Sequence, residues 1–175
     1  MRKLILLPIL AALVVPSWAL ADAMKPSAGD RTNAAKQCAT ERQQMGADVF
    51  KQTYGTNTNK SNAYGKCVSA RAKQNAQNRS NSSASCRAER AADPAAFAAQ
   101  YGTGKNHKNA FGKCVSSKAK TAAAKQVHAT VNAAKDCRAE QQADPAAFKD
   151  HYGTNANKSN AFGKCVSGKV KHQRP

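Results

Sequence analysis

The sequence predicts an all-α protein of three tandem, disulfide-stapled helical repeat units of about 40 residues each. One observation is a seven-residue segment, or heptad, that recurs about every fifty residues. Its sequence is Ala-Phe-Gly-Lys-Cys-Val-Ser in two copies, and the other copy has Tyr in place of Phe. Another is a second cysteine that precedes the heptad cysteine by 28 or 29 residues in every copy. The pairs are Cys38 with Cys67, Cys86 with Cys114, and Cys137 with Cys165. Self-similarity of this kind predicts three like units in place of one large core.

The amino terminus has the three parts of a secretory signal peptide over residues 1–21. Arg2 and Lys3 precede an apolar run at 4–15, which is too short to span a bilayer, and small residues precede a cleavage site after Ala21. A cut after Ala23 satisfies the same rule. We therefore expect an exported chain that is secreted, periplasmic or associated with the cell envelope.

An even number of cysteines in an exported chain of small units indicates disulfides, and the nearly constant spacing favours a bridge within each unit. The alternative is a metal site. It would need a spacing such as Cys-x-x-Cys, or a histidine at equivalent repeat positions, and the sequence has neither. We predict no metal and no cofactor.

The remaining segments are assigned from composition. We assign 22–32 to a disordered leader, 33–73 to repeat 1, 74–80 to a linker that is a frayed helix or a flexible tether, 81–120 to repeat 2, 121–131 to a helical linker, 132–171 to repeat 3 and 172–175 to a basic tail. Pro26 and Gly29 predict that the leader lacks structure. Residues 119–131 contain neither Gly nor Pro, which predicts one continuous helix from repeat 2 into repeat 3.

The first helix of each repeat is predicted to begin at an Asn, a favoured N-cap, five residues before the first cysteine. These residues are Asn33, Asn81 and Asn132. A glutamate stands three residues after the same cysteine, and we expect it to face solvent or to pair with a nearby arginine. These residues are Glu41, Glu89 and Glu140.

An Asp-Pro step then predicts a bend and a second helix, because the residue before proline leaves the helical region and Asp is a good N-cap. In repeat 2 this helix spans Pro94 to Tyr101 and places Phe97 on the same face as Tyr101. Gly102 is expected to close it in a left-handed conformation. Repeat 1 departs from the pattern, with Gly46 and Ala47 before its Asp.

The third helix is predicted to begin at Asn62, Asn109 or Asn160, five residues before the second cysteine. It aligns Phe111, Cys114 and Val115 on one stripe in the middle copy. The adjacent heptad glycine, Gly112 in that copy, costs about 1 kcal/mol of helix propensity relative to alanine. Its recurrence predicts a close backbone approach where the disulfide crosses.

The four Tyr and five Phe residues are shared three to a repeat. Since burial of such a side chain contributes about 1.5–3 kcal/mol, three rings cannot order forty residues unaided. Closing a loop of this length adds roughly 3–4 kcal/mol. We therefore predict that reduction unfolds the repeats.

The Asp-Pro-Ala-Ala-Phe, Tyr-Gly-Thr and Asn-Ala-Phe-Gly-Lys-Cys-Val-Ser segments resemble a short cysteine-containing repeat of exported bacterial proteins to which no role is assigned. The resemblance covers the three repeats, about two-thirds of the chain. It implies export and repetition, and it assigns no activity to any residue. Repeat 1, which lacks the Asp-Pro step, fits least well.

The sequence contains no catalytic signature, so we expect a protein that is not an enzyme. Ser69, Ser116 and Ser167 recur, but no histidine recurs with them as a base. The cysteines are expected to be bridged and therefore not nucleophilic.

Charge is the strongest functional signal, because 28 Lys plus Arg face 10 Asp plus Glu for a net charge of +18. Three basic units on one chain predict electrostatic binding of an anionic cell-envelope or extracellular polymer, for example a polysaccharide. The candidate polyanion-binding residues are Lys60, Lys66, Lys105, Lys108, Lys113, Lys158 and Lys164. For any one lysine, a solvated surface position is the competing interpretation.

Other functions stay open. Nucleic acid is one alternative partner, with bases stacking on Tyr54, Tyr101 and Tyr152, although these rings fit better as core partners of the preceding Phe. An anionic membrane surface is another, as in a membrane-active cationic defence protein, although the predicted helices hold little Leu, Ile or Trp. The repeats could also act only as structural elements of a surface or matrix. The sequence does not define the oligomeric state.

Overall fold

The computed structural model describes residues 25–172, which are mostly helical and contain no strand. The helices are α1 (Ala28–Met45), α2 (Ala47–Tyr54), α3 (Ala63–Ala92), α4 (Pro94–Tyr101), α5 (Ala110–Ala143), α6 (Pro145–Tyr152) and α7 (Ala161–His172). The all-α prediction is confirmed. The predicted signal peptide, the start of the leader and most of the basic tail lie outside the described residues.

Three disulfides connect the long helices in succession. Cys38–Cys67 joins α1 to α3, Cys86–Cys114 joins α3 to α5, and Cys137–Cys165 joins α5 to α7. Each bridge lies within one repeat, as the spacing predicts, and all six half-cystines are fully buried. The bridges indicate an oxidising environment, extracellular or periplasmic.

In the described part of the chain, no helix is long and apolar enough to cross a membrane.

The first helix begins earlier than the sequence predicts. Ser27 caps α1 by accepting a hydrogen bond from the backbone N–H of Asp30, and the Asp30 carboxylate accepts one from the N–H of Ser27. This reciprocal capping box starts the helix at Ala28, so residues 28–32 are not disordered leader and Asn33 is not an N-cap. Pro26 and Gly29 suggested a loop, but Pro26 precedes the cap and Gly29 is tolerated in the first turn.

The other two predicted starts, Asn81 and Asn132, are also wrong, because both lie inside long helices. Repeat 1 passes into repeat 2 through the 30-residue helix α3, and repeat 2 into repeat 3 through the 34-residue helix α5. Residues 74–80 are therefore helical and form no tether. Residues 121–131 are helical as predicted.

The Asp-Pro bends occur as predicted. Asp93 ends α3 in an extended conformation, and its side chain accepts a hydrogen bond from the N–H of Ala96 to cap α4, which has Pro94 in its first turn. Asp144 does the same between α5 and α6. Repeat 1 makes the bend at Gly46, whose φ of +85° suits glycine.

Two predicted glycine roles are wrong. Gly102 closes α4 with φ of −75°, so it is not left-handed. Glycine is needed here because a Cβ would lie 2.5 Å from the carbonyl oxygen of Ala98 and from the side chain of His107. A Cβ on Gly55 or Gly153 would likewise lie within 3.0 Å of a carbonyl oxygen and of a lysine side chain. Gly112 has nothing within 4 Å of a Cβ, so the expected close approach at the disulfide is absent.

Helices α3 and α5 form an antiparallel hairpin around which the other helices pack. Arg71 lies opposite Thr130, Asn78 opposite Gln126, and Cys86 opposite Cys114. The two-loop end of this hairpin holds the α2–α3 loop (55–62) and the α6–α7 loop (153–160). The one-loop end holds the α4–α5 loop (102–109).

Repeats 1 and 3 share a core, whereas the sequence predicted three like units and did not define whether they pack together. Their buried side chains form one cluster that contains two disulfides together with Phe50, Phe148 and Phe162. Repeat 2 has a small cluster of its own, and its buried members are Cys86, Phe97, Ala110 and Cys114. The shared core forms because α7 packs against α2, where a Cβ on Gly163 would lie 3.1 Å from the carbonyl oxygen of Thr53.

Candidate anion-binding surfaces

The three loops that precede α3, α5 and α7 share a pair of hydrogen bonds between a threonine and an asparagine, and these bonds fix the loop backbone that carries the lysines. In the first loop, the Asn62 side chain accepts from the N–H of Thr56 at 3.0 Å and donates to the hydroxyl of Thr56 at 2.8 Å. The same two bonds occur in the other two loops, between Asn109 and Thr103 and between Asn160 and Thr154. These asparagines directly precede the third helices, as predicted. Asn62 and Asn109, however, make no side-chain bond to the first turns that follow them.

The structure brings four of the seven candidate lysines to the two-loop end. Lys60 and Lys158 adopt φ of 56° and 53° in their loops, while Lys66 and Lys164 stand exposed in the first turns of α3 and α7. The ammonium of Lys60 donates to the carbonyl oxygens of Gly55 at 3.0 Å and of Ser159, in the neighbouring loop, at 3.3 Å. Lys60 therefore joins the two loops, and its charge is partly used within the protein.

The other three candidates lie at the one-loop end. Lys105 and Lys108 are exposed in the α4–α5 loop, and Lys113 is exposed in the first turn of α5. In this loop His107 occupies the position of Lys60 and Lys158, again with positive φ, at 49°. The candidates thus form two groups at opposite ends of the hairpin instead of one patch.

Internal contacts use most of the acidic side chains. Arg2, Lys3 and Arg174 lie outside the described residues, as does Asp22, so 25 basic and nine acidic side chains remain. Five carboxylates form ion pairs, and Asp93 and Asp144 cap helices. Among residues 25–172, twenty basic side chains therefore have no carboxylate within 4.0 Å.

A repeated network that the sequence analysis missed joins the glutamate of each first helix to a tyrosine and a basic residue. In repeat 2, Glu89 accepts from the Tyr101 hydroxyl at 3.0 Å and pairs with Lys118 at 2.8 Å. In repeat 3, Glu140 accepts from the Tyr152 hydroxyl at 2.8 Å and pairs with Lys169 at 2.7 Å. The available signal was a basic residue four positions after every second cysteine. These residues are Arg71, Lys118 and Lys169.

In repeat 1 the same network is buried. Glu41, expected to be exposed or arginine-paired, is fully buried and lies 2.5 Å from Arg71, which is 3% exposed. Tyr54 donates to Glu41, and Arg71 donates to Tyr54. Burial raises the pKa of the Glu41 carboxyl, and Arg71 offsets only part of this effect. The network is buried where α5 packs over repeat 1, and Arg71 also donates to Thr130 of that helix.

The tyrosines are core partners and not exposed stacking platforms. Each ring centroid lies 4.9–5.0 Å from that of the preceding Phe, in a tilted arrangement. The hydroxyl of each is engaged by a glutamate. Since Tyr54, Tyr101 and Tyr152 are all partly buried, base stacking on them is not favoured.

A basic groove of about 390 Å³ lies between α1 and α5 on the side of the hairpin, with α3 as its floor. Lys36, Arg79 and Lys120 line it together with Val115 and Ala119. The carboxylate of Asp30 also lines it, 2.9 Å from Arg79. Basic charge therefore continues along the body between the two ends.

No group of three or more His, Cys, Asp and Glu side chains is placed to hold a metal ion within residues 25–172. Comparison of the chain with models of known protein families, with curated proteins and with solved structures found no match.

Proposed function

We propose that this chain is an exported, non-enzymatic cationic protein that associates electrostatically with anionic cell-envelope or extracellular polymers. One observation carries the proposal. The acidic side chains are mostly committed to ion pairs and helix caps, whereas twenty basic side chains of the described residues have no acidic partner. Such a surface attracts a flexible polyanion along its whole length.

The separation of the candidate lysines into two groups supports a long ligand over a small one. Helix α3 has 30 residues, and at 1.5 Å rise per residue it separates the two ends by about 45 Å. A polymer that reaches both ends gains affinity, because the second contact becomes intramolecular.

A bilayer surface is less well supported. Among residues 25–172, Tyr64 is the one large hydrophobic side chain that is exposed, at 42%. A membrane-inserting surface needs a contiguous apolar face to bury below the headgroups, and a single ring does not provide one.

The test is binding of the oxidised protein to a soluble anionic polysaccharide and to insoluble envelope material, measured across a salt series. Charge-driven binding must weaken steeply as salt screens the contacts. Binding that is weak at low salt, or that ignores salt, would refute the proposal and return the repeats to a structural role.

A matched pair of variants locates the contacts. Lys113→Gln removes an exposed unpaired charge at the one-loop end, and Lys118→Gln removes a charge on the same helix that already pairs with Glu89. Both variants lower the net charge by one, but Lys113→Gln should weaken binding more and lower the salt dependence more. Equal effects would mean that net charge alone, and not the one-loop end, determines binding.

A further inference from the structure

The basic groove between α1 and α5 is built by three helices that each contribute one cation. Lys36 comes from α1, Arg79 from the α3 floor and Lys120 from α5. Asp30 supplies the single carboxylate of the lining, so three cations and one carboxylate leave two net positive charges. The volume of about 390 Å³ is that of a small-ligand site. One anionic unit of a larger molecule can therefore enter the groove.

Asp30 holds the guanidinium of Arg79 in place on the groove floor. Nη2 of Arg79 donates to the Asp30 carboxylate at 2.9 Å and to the carbonyl oxygen of Lys25 at 3.5 Å. Neither bond uses Nη1, and 41% of the side chain is exposed. Nη1 is therefore free to donate to an anion in the groove. Because the protein already fixes the guanidinium, less side-chain order is lost when a ligand binds.

The two lysines stand on opposite walls of the groove and carry uncompensated charge. Lys36 and Lys120 are exposed, and neither has a carboxylate within 4.0 Å among residues 25–172. Lys113 of the one-loop end precedes Lys120 on α5 by two helical turns, so it lies on nearly the same face at a distance of about 10 Å along the axis. A polymer held at Lys113 can therefore continue into the groove.

The neutral residues of the groove indicate which kind of polyanion fits. Asn33 and Ser116 offer an amide and a hydroxyl, while Val115, Ala119 and Ala124 form an apolar strip. The hydroxyl groups of a sugar can bond to the first two, and the C–H face of a sugar ring can lie on the strip. A polyphosphate has neither feature. None of the described residues that line the groove is aromatic, so a nucleic acid base finds no ring on which to stack.

We propose that this groove binds one unit of an acidic polysaccharide whose neighbouring units lie along the one-loop end. The anionic group of that unit accepts from Lys36, Lys120 and Nη1 of Arg79, and its ring covers Ala119. The inference rests on the proposed function and narrows the polymer to one made of sugars.

The test uses trigalacturonate, a trimer with one carboxylate on each sugar, and tripolyphosphate as the comparator without sugars. Both are far too short to join the two ends of the hairpin. Backbone amide signals of the oxidised mature protein are followed by NMR at low salt. Trigalacturonate should bind saturably, shift the signals of residues 33–37 and 115–124, and saturate at a lower concentration than tripolyphosphate. Tripolyphosphate carries at least as much negative charge, so tighter binding of tripolyphosphate would overturn the proposal.

Variants locate the contact. Lys120→Gln should weaken trigalacturonate binding about threefold to tenfold, because a charged hydrogen bond to the ligand is lost. Lys73→Gln is the matched control, since Lys73 is exposed and also lies six residues after the second cysteine of its repeat, but does not line the groove. Lys73→Gln should leave binding nearly unchanged. Equal weakening by the two variants would overturn the proposal in favour of diffuse electrostatics.

A second pair tests occupation of the groove itself. Ser116→Trp places a large ring in the groove from an exposed helical position, and Ser117→Trp places the same ring on the neighbouring exposed position outside it. Ser116→Trp should abolish the binding of trigalacturonate and Ser117→Trp should not. Undiminished binding by a folded Ser116→Trp variant would overturn the proposal. If Ser116→Trp does not fold, the two lysine variants decide.

Failure of this inference can be told from failure of the proposed function. Salt-sensitive binding of long anionic polymers, combined with trigalacturonate shifts that are spread over the surface, would overturn the groove site alone. Absence of binding by long polymers and by the trimer would overturn both.

Discussion

The guanidinium of Arg71 donates to the hydroxyl of Thr130 at 2.8 Å, across 59 residues of sequence. The same Nη2 atom lies 2.5 Å from the buried carboxylate of Glu41. One side chain thus joins α1 to α3 and α3 to the second half of α5. The contact between repeat 1 and α5 is therefore built around a charged group, and removal of that group leaves an unpaired buried carboxylate.

We expect Arg71→Met to destabilise the protein by about 3–5 kcal/mol, because loss of one partner strands Glu41 in a buried site. Lys118→Met is the matched control at the equivalent position of repeat 2. Its partner Glu89 is 36% exposed, so solvent screens the pair and its loss should change the stability little. Urea denaturation followed by circular dichroism measures both. Equal losses for the two variants would contradict the buried-network interpretation.

Two glycines should respond in opposite directions to alanine. In Gly102→Ala the new methyl would lie 2.5 Å from the Ala98 carbonyl oxygen and from His107, and such overpacking costs about 1–3 kcal/mol. In Gly112→Ala the methyl meets nothing within 4 Å at an exposed helical position, and alanine should stabilise by up to about 1 kcal/mol. Thermal unfolding of the pair checks this, and stabilisation by Gly102→Ala would contradict the steric argument.

Local signals in the sequence predicted the helices, their bends and the disulfides well. The Asp-Pro steps and the constant cysteine spacing act over short distances, so Pro94, Pro145 and the three pairs could be placed from sequence alone. The prediction of a helix start was wrong where an asparagine such as Asn81 met all the local criteria for an N-cap. The chain on both sides of Asn81 contains neither Gly nor Pro, and α3 continues through this residue.

The packing of repeat 3 on repeat 1 could not be predicted, because it depends on long-range complementarity. Arg71 and Lys118 look equivalent in sequence, yet one is buried and the other is not. What differs is whether another repeat covers the site. The candidate lysines could be named from recurrence, but only the folded chain shows that they divide between two ends and that Lys60 bonds to a neighbouring loop.

The disulfides should contribute unequally to local order. Cys86→Ala with Cys114→Ala removes half of the four buried residues in the small repeat 2 cluster, together with a cross-link expected to give about 3–4 kcal/mol. Hydrogen exchange should accelerate throughout α4. The matched variant, Cys137→Ala with Cys165→Ala, lies in the larger shared core and should leave more protection in α6. Equal loss of protection in α4 and α6 would contradict this.

Acid should weaken the network of repeat 3. A hydrogen bond from Lys169, with one from Tyr152, lowers the pKa of the Glu140 carboxyl below its ordinary value of 4.5. A carboxyl whose pKa is lower in the folded state stabilises the fold above pH 4.5, and this stabilisation is lost as the pH falls through the folded-state pKa. Glu140 is 41% exposed, so the effect should stay below about 1 kcal/mol.

Glu140→Gln should therefore be less stable than the natural protein at pH 7, and the difference should shrink towards pH 3. Lys169→Met removes the hydrogen bond that contributes most to the lowered pKa and should lose the same pH dependence without altering the carboxyl itself. Urea midpoints for the three proteins across this range make the comparison. If the natural protein and Glu140→Gln ran parallel from pH 7 to pH 3, ionisation of Glu140 would not be coupled to folding.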